Sequence, residues 1–449
     1  MKYLMIGYEV GQTQKYNLNL KRLSSKEEEF IAKVEQKYQE MARDHLQTKN
    51  EIEQDEIYSK LIDAVANENS LVLDNYQKKY LFEHIKTNIS GFGFLEYFLK
   101  DDEIEEISAT LLENARVYVR GFGWQKTNCR FTSAEKMIEI VNKMARLSGR
   151  VITMKNPRID AILPSGSRLH ASFAPISKGE ITIRKFRENP VGPRDLVEAE
   201  LCTARIMAIL SLVIQSDTTL LVGGNTASGK TTTLNALFTF LPLDERLIII
   251  EDTPEIMVPH EHKVNLISNP DLEIQMPELI KDTLRMRPDR LIIGEVRNPN
   301  EFSSLLEALL AGQARGTYAT FHAQNSNEAK ARLEKFGFSA EDLGSIDIII
   351  IQRRRLKIDS KNKTKKEERK ILEICSFEGG EKVEIINLKS EKVNYESIAI
   401  RKALGTFQMT SEEFEKEISK REEIINGAPL GFQEFSKHFG KKVFNFESD

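Results

Sequence analysis

Residues 220–241 read LLVGGNTASGKTTTLNALFTFL. Within them, Gly224-Asn225-Thr226-Ala227-Ser228-Gly229-Lys230-Thr231 meets the G-x-x-x-x-G-K-[ST] spacing of a phosphate-binding loop. That motif demands a buried strand before it and a helix after it, and both are legible here. Thr219 to Val222 is an apolar run, and Leu234, Leu237 and Leu241 recur at helical spacing. Glycines at 224 and 229 permit backbone angles that a side chain would forbid, so several N–H groups can converge on phosphate oxygens. The positive end of the following helix favours the same anion. Lys230 has the reach for β- and γ-phosphates, and the Thr231 hydroxyl suits Mg²⁺. Residues 224–231, with Thr232 beside them, are the candidate nucleotide contacts.

A chain of 449 residues is too long for one core, and two to three domains are expected. Its 29% charged residues and mean hydropathy of -0.38 describe a soluble globular protein. A net charge of -4 exerts no global pull on nucleic acid or anionic membrane. Cys129, Cys202 and Cys375 are far apart, which indicates neither a disulfide framework nor a zinc site and points to a reducing, cytoplasmic setting. Residues 1–8 are apolar but too short for a signal peptide. The run 206–214 falls short of the roughly twenty residues a membrane span needs and reads as a buried helix. Any membrane connection is therefore expected through a partner.

Residues 26–50 and 52–67 carry Glu and Lys at i,i+4 spacing around a thin apolar stripe, predicting a solvated helical pair. From Ser90, GFGFLEYFL predicts a loop and then a helix from about Leu95. Arg116 to Arg120 alternates like a strand, and Thr132 or Ser133 can cap a helix that ends near Leu147. Further strands are expected over 159–173 and 180–186. Glu188-Asn-Pro-Val-Gly-Pro-Arg194 breaks both helix and strand, so a hinge belongs there. Apolar runs at 219–222, 247–250, 291–293, 316–320 and 346–351 alternate with helical patterns, implying an α/β domain with a mainly parallel sheet. The basic run 353–370 lacks interleaved aromatics, so a solvated loop or hairpin is favoured over a nucleic-acid contact. The expected organisation is a charged helical region over 1–89, an α+β domain over 90–187, a linker over 188–194, an α/β domain over 195–352, and a C-terminal basic loop with β and helical segments over 353–449.

A phosphate loop needs carboxylates on the metal side. Leu291-Ile-Ile-Gly-Glu295 is an apolar strand ending in one, and Glu295 suits a Mg²⁺ partner acting through water. Ile248 to Glu255 is a second strand ending in Glu251, Asp252 and Glu255. A parallel arrangement delivers all of them to one carboxyl edge, where ligands bind. His322 follows a third strand run and belongs at that edge too.

In this order the segments GGNTASGKTTTLNAL, IEDTPEI with PH after it, LRMRPDRLIIGEVRN and ATFHA resemble the ATPases of type II and type IV secretion systems. The similarity is greatest to the archaeal branch, which assembles archaella and type IV pili. Upstream, GFGFLEYFL, VYVRGFGWQKTN, SGR, DAILPSGSRLHA and ITIRKF resemble that family's nucleotide-facing N-terminal domain. The resemblance covers roughly residues 90–354. It implies a RecA-like domain with a parallel-rich sheet, preceded by the smaller α+β domain. It also implies roles: Glu255 polarises the attacking water, Glu295 is the Walker B glutamate, and His322 couples nucleotide state to movement. Arg168 and Arg184 match arginines that reach the phosphates, and Arg297 matches the arginine two places after the Walker B glutamate. The implied cofactors are ATP and Mg²⁺. The implied assembly is a homohexamer at the cytoplasmic face of the membrane, working on a polytopic platform protein. A DNA-transfer motor and a nucleotide-sensing scaffold are the competing readings.

Overall fold

The computed structural model describes residues 15–18, 24–45, 51–146, 148–186, 189–269, 272–312, 314–359 and 364–444. The opening stretch 1–8, the helix end expected at Leu147 and the domain edge at Arg187 and Glu188 lie outside these residues. The chain divides into two compact units, Met1–Arg187 and Glu188–Asp449.

The first unit opens with β1 (Lys15–Tyr16), α1 (Ser25–His45), α2 (Glu51–Glu68) and α3 (Asn75–Ile89). Where the sequence predicts a solvated pair of helices, three helices enclose a core of their own. Phe30, Val34, Tyr58, Ile62, Val65, Leu81 and Ile85 are buried together. The third helix offers little apolar signal, but its start is fixed by a reciprocal cap. Asp74 Oδ1 accepts from Gln77 N at 2.7 Å, and Gln77 Oε1 accepts from Asp74 N at 3.0 Å.

The same unit continues with α4 (Leu95–Leu99), β2 (Ile104–Thr110), β3 (Asn114–Val119), β4 (Gly123–Arg130), α5 (Ala134–Arg146), β5 (Arg158–Ile162), β6 (Arg168–Ser172) and β7 (Glu180–Arg184). The sheet order is β1-β4-β3-β2-β7-β6-β5. All pairs are antiparallel except β1 with β4. Met137, Ile140, Val141 and Met144 recur at helical spacing on α5 and share a core with Ile107, Val117, Ile181 and Ile183 of the sheet.

The second unit begins with α6 (Pro193–Glu198), α7 (Ala204–Gln215), β8 (Leu220–Gly224), α8 (Lys230–Phe238), β9 (Leu247–Glu251) and β10 (Lys263–Ile267). Next come α9 (Met276–Thr283), β11 (Arg290–Val296), α10 (Pro299–Ala311), β12 (Gly316–Phe321), α11 (Ser326–Lys335) and α12 (Ala340–Leu343). It closes with β13 (Ile348–Asp359), β14 (Thr364–Glu378), β15 (Glu381–Glu384), α13 (Ile398–Phe407), α14 (Ser411–Gly427) and α15 (Phe432–Val443). The sheet order is β10-β9-β11-β12-β8-β13-β14-β15. From β10 to β13 every pairing is parallel, and β14 and β15 are added antiparallel. Strands covered on both faces need no polar alternation. Accordingly, all residues of β8, β9 and β12 are buried.

The boundary expected at residue 352 does not exist in the structure. β13 runs straight through it, and the described residues of the basic run, 353–359 and 364–370, form the outer part of the antiparallel β13–β14 ribbon, the hairpin of the two expected alternatives. The C-terminal helices are equally integral. Phe414, Ile418, Phe435 and Phe439 share one core with Met207 and Leu210 of α7, a helix buried at every position except Arg205.

One ion pair holds the rear of the sheet. Arg290, at the amino end of β11, is fully buried and donates to both Glu245 oxygens at 2.7 and 2.9 Å. Its remaining N–H groups reach the carbonyls of Ile214, Gln215 and Ser216 and the Tyr318 hydroxyl. Every charge is matched, the condition under which burial is tolerated.

Candidate active site

Four parallel strands end side by side at one edge, and each delivers a piece of the site. β8 ends in Gly224 and passes into the phosphate loop; β9 ends in Glu251, β11 carries Glu295 near its end, and His322 follows β12. Glycine at 224 is obligatory, because a Cβ there would lie 2.5 Å from the Gln352 carbonyl oxygen. Gly229 has φ +91°, a left-handed conformation that favours glycine, and Lys230 starts α8 immediately after it. Ser228 Oγ is buried without a hydrogen-bond partner among the described residues, an orphan that suits a loop built for an anion.

The three acids after β9 have three different tasks. Glu251 is 2% exposed and turned inward, its Oε1 accepting from the Glu255 and Ile256 N–H groups at 2.9 and 2.8 Å. Asp252 accepts from Ser268 Oγ at 2.6 Å and from Arg297 at 2.8 Å. Glu255 alone turns to the loop, with its Oε2 3.4 Å from Thr231 Oγ1.

Glu295 sits at the centre. It accepts from Arg297 Nε at 2.7 Å, and its other oxygen lies 3.1 Å from His322 Nε2 and 3.7 Å from Lys230 Nζ. Burial opposes its ionisation, but Arg297, Lys230 and His322 together hold the carboxyl below its usual range. For His322, burial and then Lys230 lower the pKa, against the opposing pull of Glu295 and the Gly224 carbonyl. The charged ring is thus disfavoured, and its Nδ1 lies 3.3 Å from Gly224 O.

Arg168 and Arg184 lie in the first unit. They are direct cross-strand partners on β6 and β7, placing two like charges face to face. Arg297, by contrast, is already engaged between Glu295 and Asp252.

Two positions matter that motif reading passed over. Gln352 on β13 is buried, donates to the Ser228 carbonyl and accepts from Thr233 Oγ1 at 2.7 Å, propping the loop from behind. Asn235 on α8 is bonded at both ends to the segment after β9. Its amide donates to Glu255 O at 3.1 Å, and its Oδ1 accepts from Met257 N at 3.1 Å. Neither carries a recognisable motif; only their distance in sequence from the groups they hold hints at tertiary contacts.

Among the described residues there is no group of three or more His, Cys, Asp or Glu side chains able to hold a metal by themselves. The Thr231 hydroxyl with the Glu255 and Glu295 carboxylates is instead a sparse set of hard oxygens. Such a set fits Mg²⁺, which fills its remaining positions with water and substrate phosphate.

A parallel sheet with a phosphate loop and carboxylates at the ends of neighbouring strands is the architecture of a P-loop nucleotide-binding domain. The family described as type II/IV secretion system protein matches residues 90–429, and the chain belongs to that family. Uncharacterized protein MJ0781 of the archaeon Methanocaldococcus jannaschii is 38% identical over 239 residues, 50% of this chain and 33% of the relative. The type IV secretion system protein VirB11 of Bartonella henselae is 30% identical over 246 residues, 46% of this chain and 68% of the relative. Among solved structures, the Legionella pneumophila ATPase DotB is 19% identical with a TM-score of 0.46, covering 74% of this chain and 87% of that one. The chain spans only 33% and 46% of the length of two archaeal relatives it matches.

Proposed function

We propose that the chain is a Mg²⁺-dependent ATPase, working as a homohexameric motor at the cytoplasmic face of a membrane. Its load would be a platform protein that assembles pilus-like filaments or drives secretion. The observation that carries this reading is the convergence of Glu255, Glu295 and His322 on Lys230 and Thr231.

Lys230 and the N–H groups of residues 224–232 bind the β- and γ-phosphates. Glu255 orients a water molecule and takes its proton as the water oxygen bonds to the γ-phosphorus. The bond from that phosphorus to the β,γ-bridging oxygen breaks, and ADP and phosphate leave. When bound, Mg²⁺ neutralises charge on the phosphate oxygens, with Thr231 and Glu295 as its protein partners. Arg297 keeps Glu295 ionised and fixed in place. His322, touching both Glu295 and the Gly224 carbonyl, is placed to pass a change at the γ-phosphate to the start of the loop. By the resemblance alone, Arg168 and Arg184 are assigned to nucleotide binding and the linker over 188–194 to the response to nucleotide state. No helix among the described residues is long and apolar enough to cross a membrane.

The test is Mg-ATP turnover by wild-type protein beside Glu255→Gln and Glu295→Gln, with anionic vesicles or DNA added separately. Both substitutions abolish turnover if the assignment is right. Stimulation by DNA alone would transfer the motor to DNA transport. ATP binding without turnover under every condition would make the chain a sensor.

A further inference from the structure

The acids and the histidine that follow strands of this sheet all lie on one side of β8. In the sheet order, β12, β11 and β9 run from β8 in one direction, carrying His322, Glu295 and Glu255 at or just past their ends. These groups serve the γ-phosphate, so the γ end of a bound triphosphate points that way. Its other end, with the α-phosphate and the nucleoside, must leave the loop toward β13 and β14.

The residues waiting there are basic. Gln352 directs its side chain at Ser228 and Thr233, so this face of β13 is the face of the phosphate loop. Two residues on, Arg354 shares that face, since side chains alternate along a strand. Its backbone is bound to the loop itself: Arg354 N donates to Asn225 Oδ1 at 3.0 Å, and Asn225 Nδ2 donates to Arg354 O at 3.3 Å. Directly opposite Arg354 in the antiparallel register stands Arg369 of β14. Its Cδ lies 3.9 Å from the position a Cβ on Gly229 would take, with Thr232 at 4.0 Å from the same point. Glu367 lies 4.0 Å from Arg354.

We infer that Arg369, with Arg354 beside it, binds the α-phosphate of the nucleotide and so adds a contact that only the nucleoside end of the substrate reaches. The inference rests on the ATPase reading only for the direction in which the triphosphate lies. Guanidinium–phosphate contacts are charge-assisted and bidentate, and alanine in place of Arg369 removes both bonds.

The experiment measures equilibrium binding of ADP, ATP and inorganic pyrophosphate to the full chain carrying Arg369→Ala, Arg369→Lys, Arg354→Ala or Lys370→Ala. Lys370 is the neighbouring residue on the opposite face of the strand. The expected result is ADP and ATP binding weakened about tenfold in Arg369→Ala, less in Arg369→Lys, with pyrophosphate binding retained. Lys370→Ala should bind all three as wild type does. Unchanged ADP binding in Arg369→Ala overturns the proposal, as does an equal loss for pyrophosphate, which marks general damage to the loop. If Arg369→Ala does not fold, Arg369→Lys and Arg354→Ala decide by the same comparison. Failure of the wild type to bind any nucleotide would instead sink the ATPase reading itself.

Discussion

The Asn235 side chain grips the backbone on both sides of Ile256, donating to Glu255 O and accepting from Met257 N, both at 3.1 Å. Because α8 starts at Lys230, the helix that presents the proposed phosphate-binding lysine also anchors the segment bearing the proposed water-positioning glutamate. Substitution Asn235→Ala leaves the Met257 N–H and the Glu255 carbonyl without this partner, at a cost of about 1–3 kcal/mol. Turnover at saturating ATP should fall at least about tenfold while ATP affinity stays near wild type, since only the placement of Glu255 is disturbed. Steady-state kinetics beside equilibrium ATP binding check this; equal losses in both would contradict it.

Gln352 acts from the other side of the loop. Gln352→Leu keeps the volume but removes the bonds to the Ser228 carbonyl and Thr233 Oγ1. Here affinity should suffer first, with ADP and ATP both bound about tenfold more weakly, because the loop loses its preformed shape. Isothermal titration with each nucleotide measures it.

His260 governs acid sensitivity. It is 1% exposed, its Nε2 lies 2.9 Å from Pro242 O, and its Nδ1 has no partner among the described residues. Burial pushes its pKa down to about 4, from about 6.5 in an unfolded chain. With a lowered folded pKa, the unfolded chain takes up the proton first as pH drops. Stability present above about pH 6.5 is therefore lost progressively toward about pH 4, by up to ~3 kcal/mol. In His260→Gln the amide can still donate to Pro242 O, so the fall in stability between pH 7 and pH 4.5 should be shallower than in wild type. Urea denaturation at the two pH values gives the comparison.

Arg290→Met tests whether the arginine in the RMRPDR segment is structural. The substitution strands Glu245 in a buried site, and unfolding stability should drop by about 3–5 kcal/mol. Arg315, 3.0 Å from Glu245 but half exposed, supplies only part of the missing charge. Thermal denaturation should show the loss, with ATP affinity below the transition unchanged.

The parallel strands and their order of use were legible because each is a continuous apolar run closed by a polar or glycine residue. β8, β9, β11 and β12 fall on runs at 219–222, 247–250, 291–293 and 316–320. β10 was not, since Lys263 to Ile267 alternates exposed and half-buried residues at the sheet edge and lacks such a run. The third N-terminal helix escaped notice because Leu81 and Ile85 are its only fully buried side chains. Within the site, residues bound by the loop motif or at strand ends could be named from spacing. Gln352 and Asn235 could not, because hydrogen bonds spanning 119 residues and 20 to 22 residues leave no local pattern. The basic run after Gln352 could be read as a hairpin but not as a continuation of the sheet: charge composition suggests solvent, while its pairing with β14 is set by register.

β13 serves two masters along its length. Ile349 to Gln352 is locked between β8 and β14, whereas Lys357 to Asp359 pairs with β14 alone. A change in the inner half is felt at the loop through Gln352, whereas the outer half is held by β14 alone. The distal ribbon can therefore be lengthened, shortened or recharged without disturbing what props the loop.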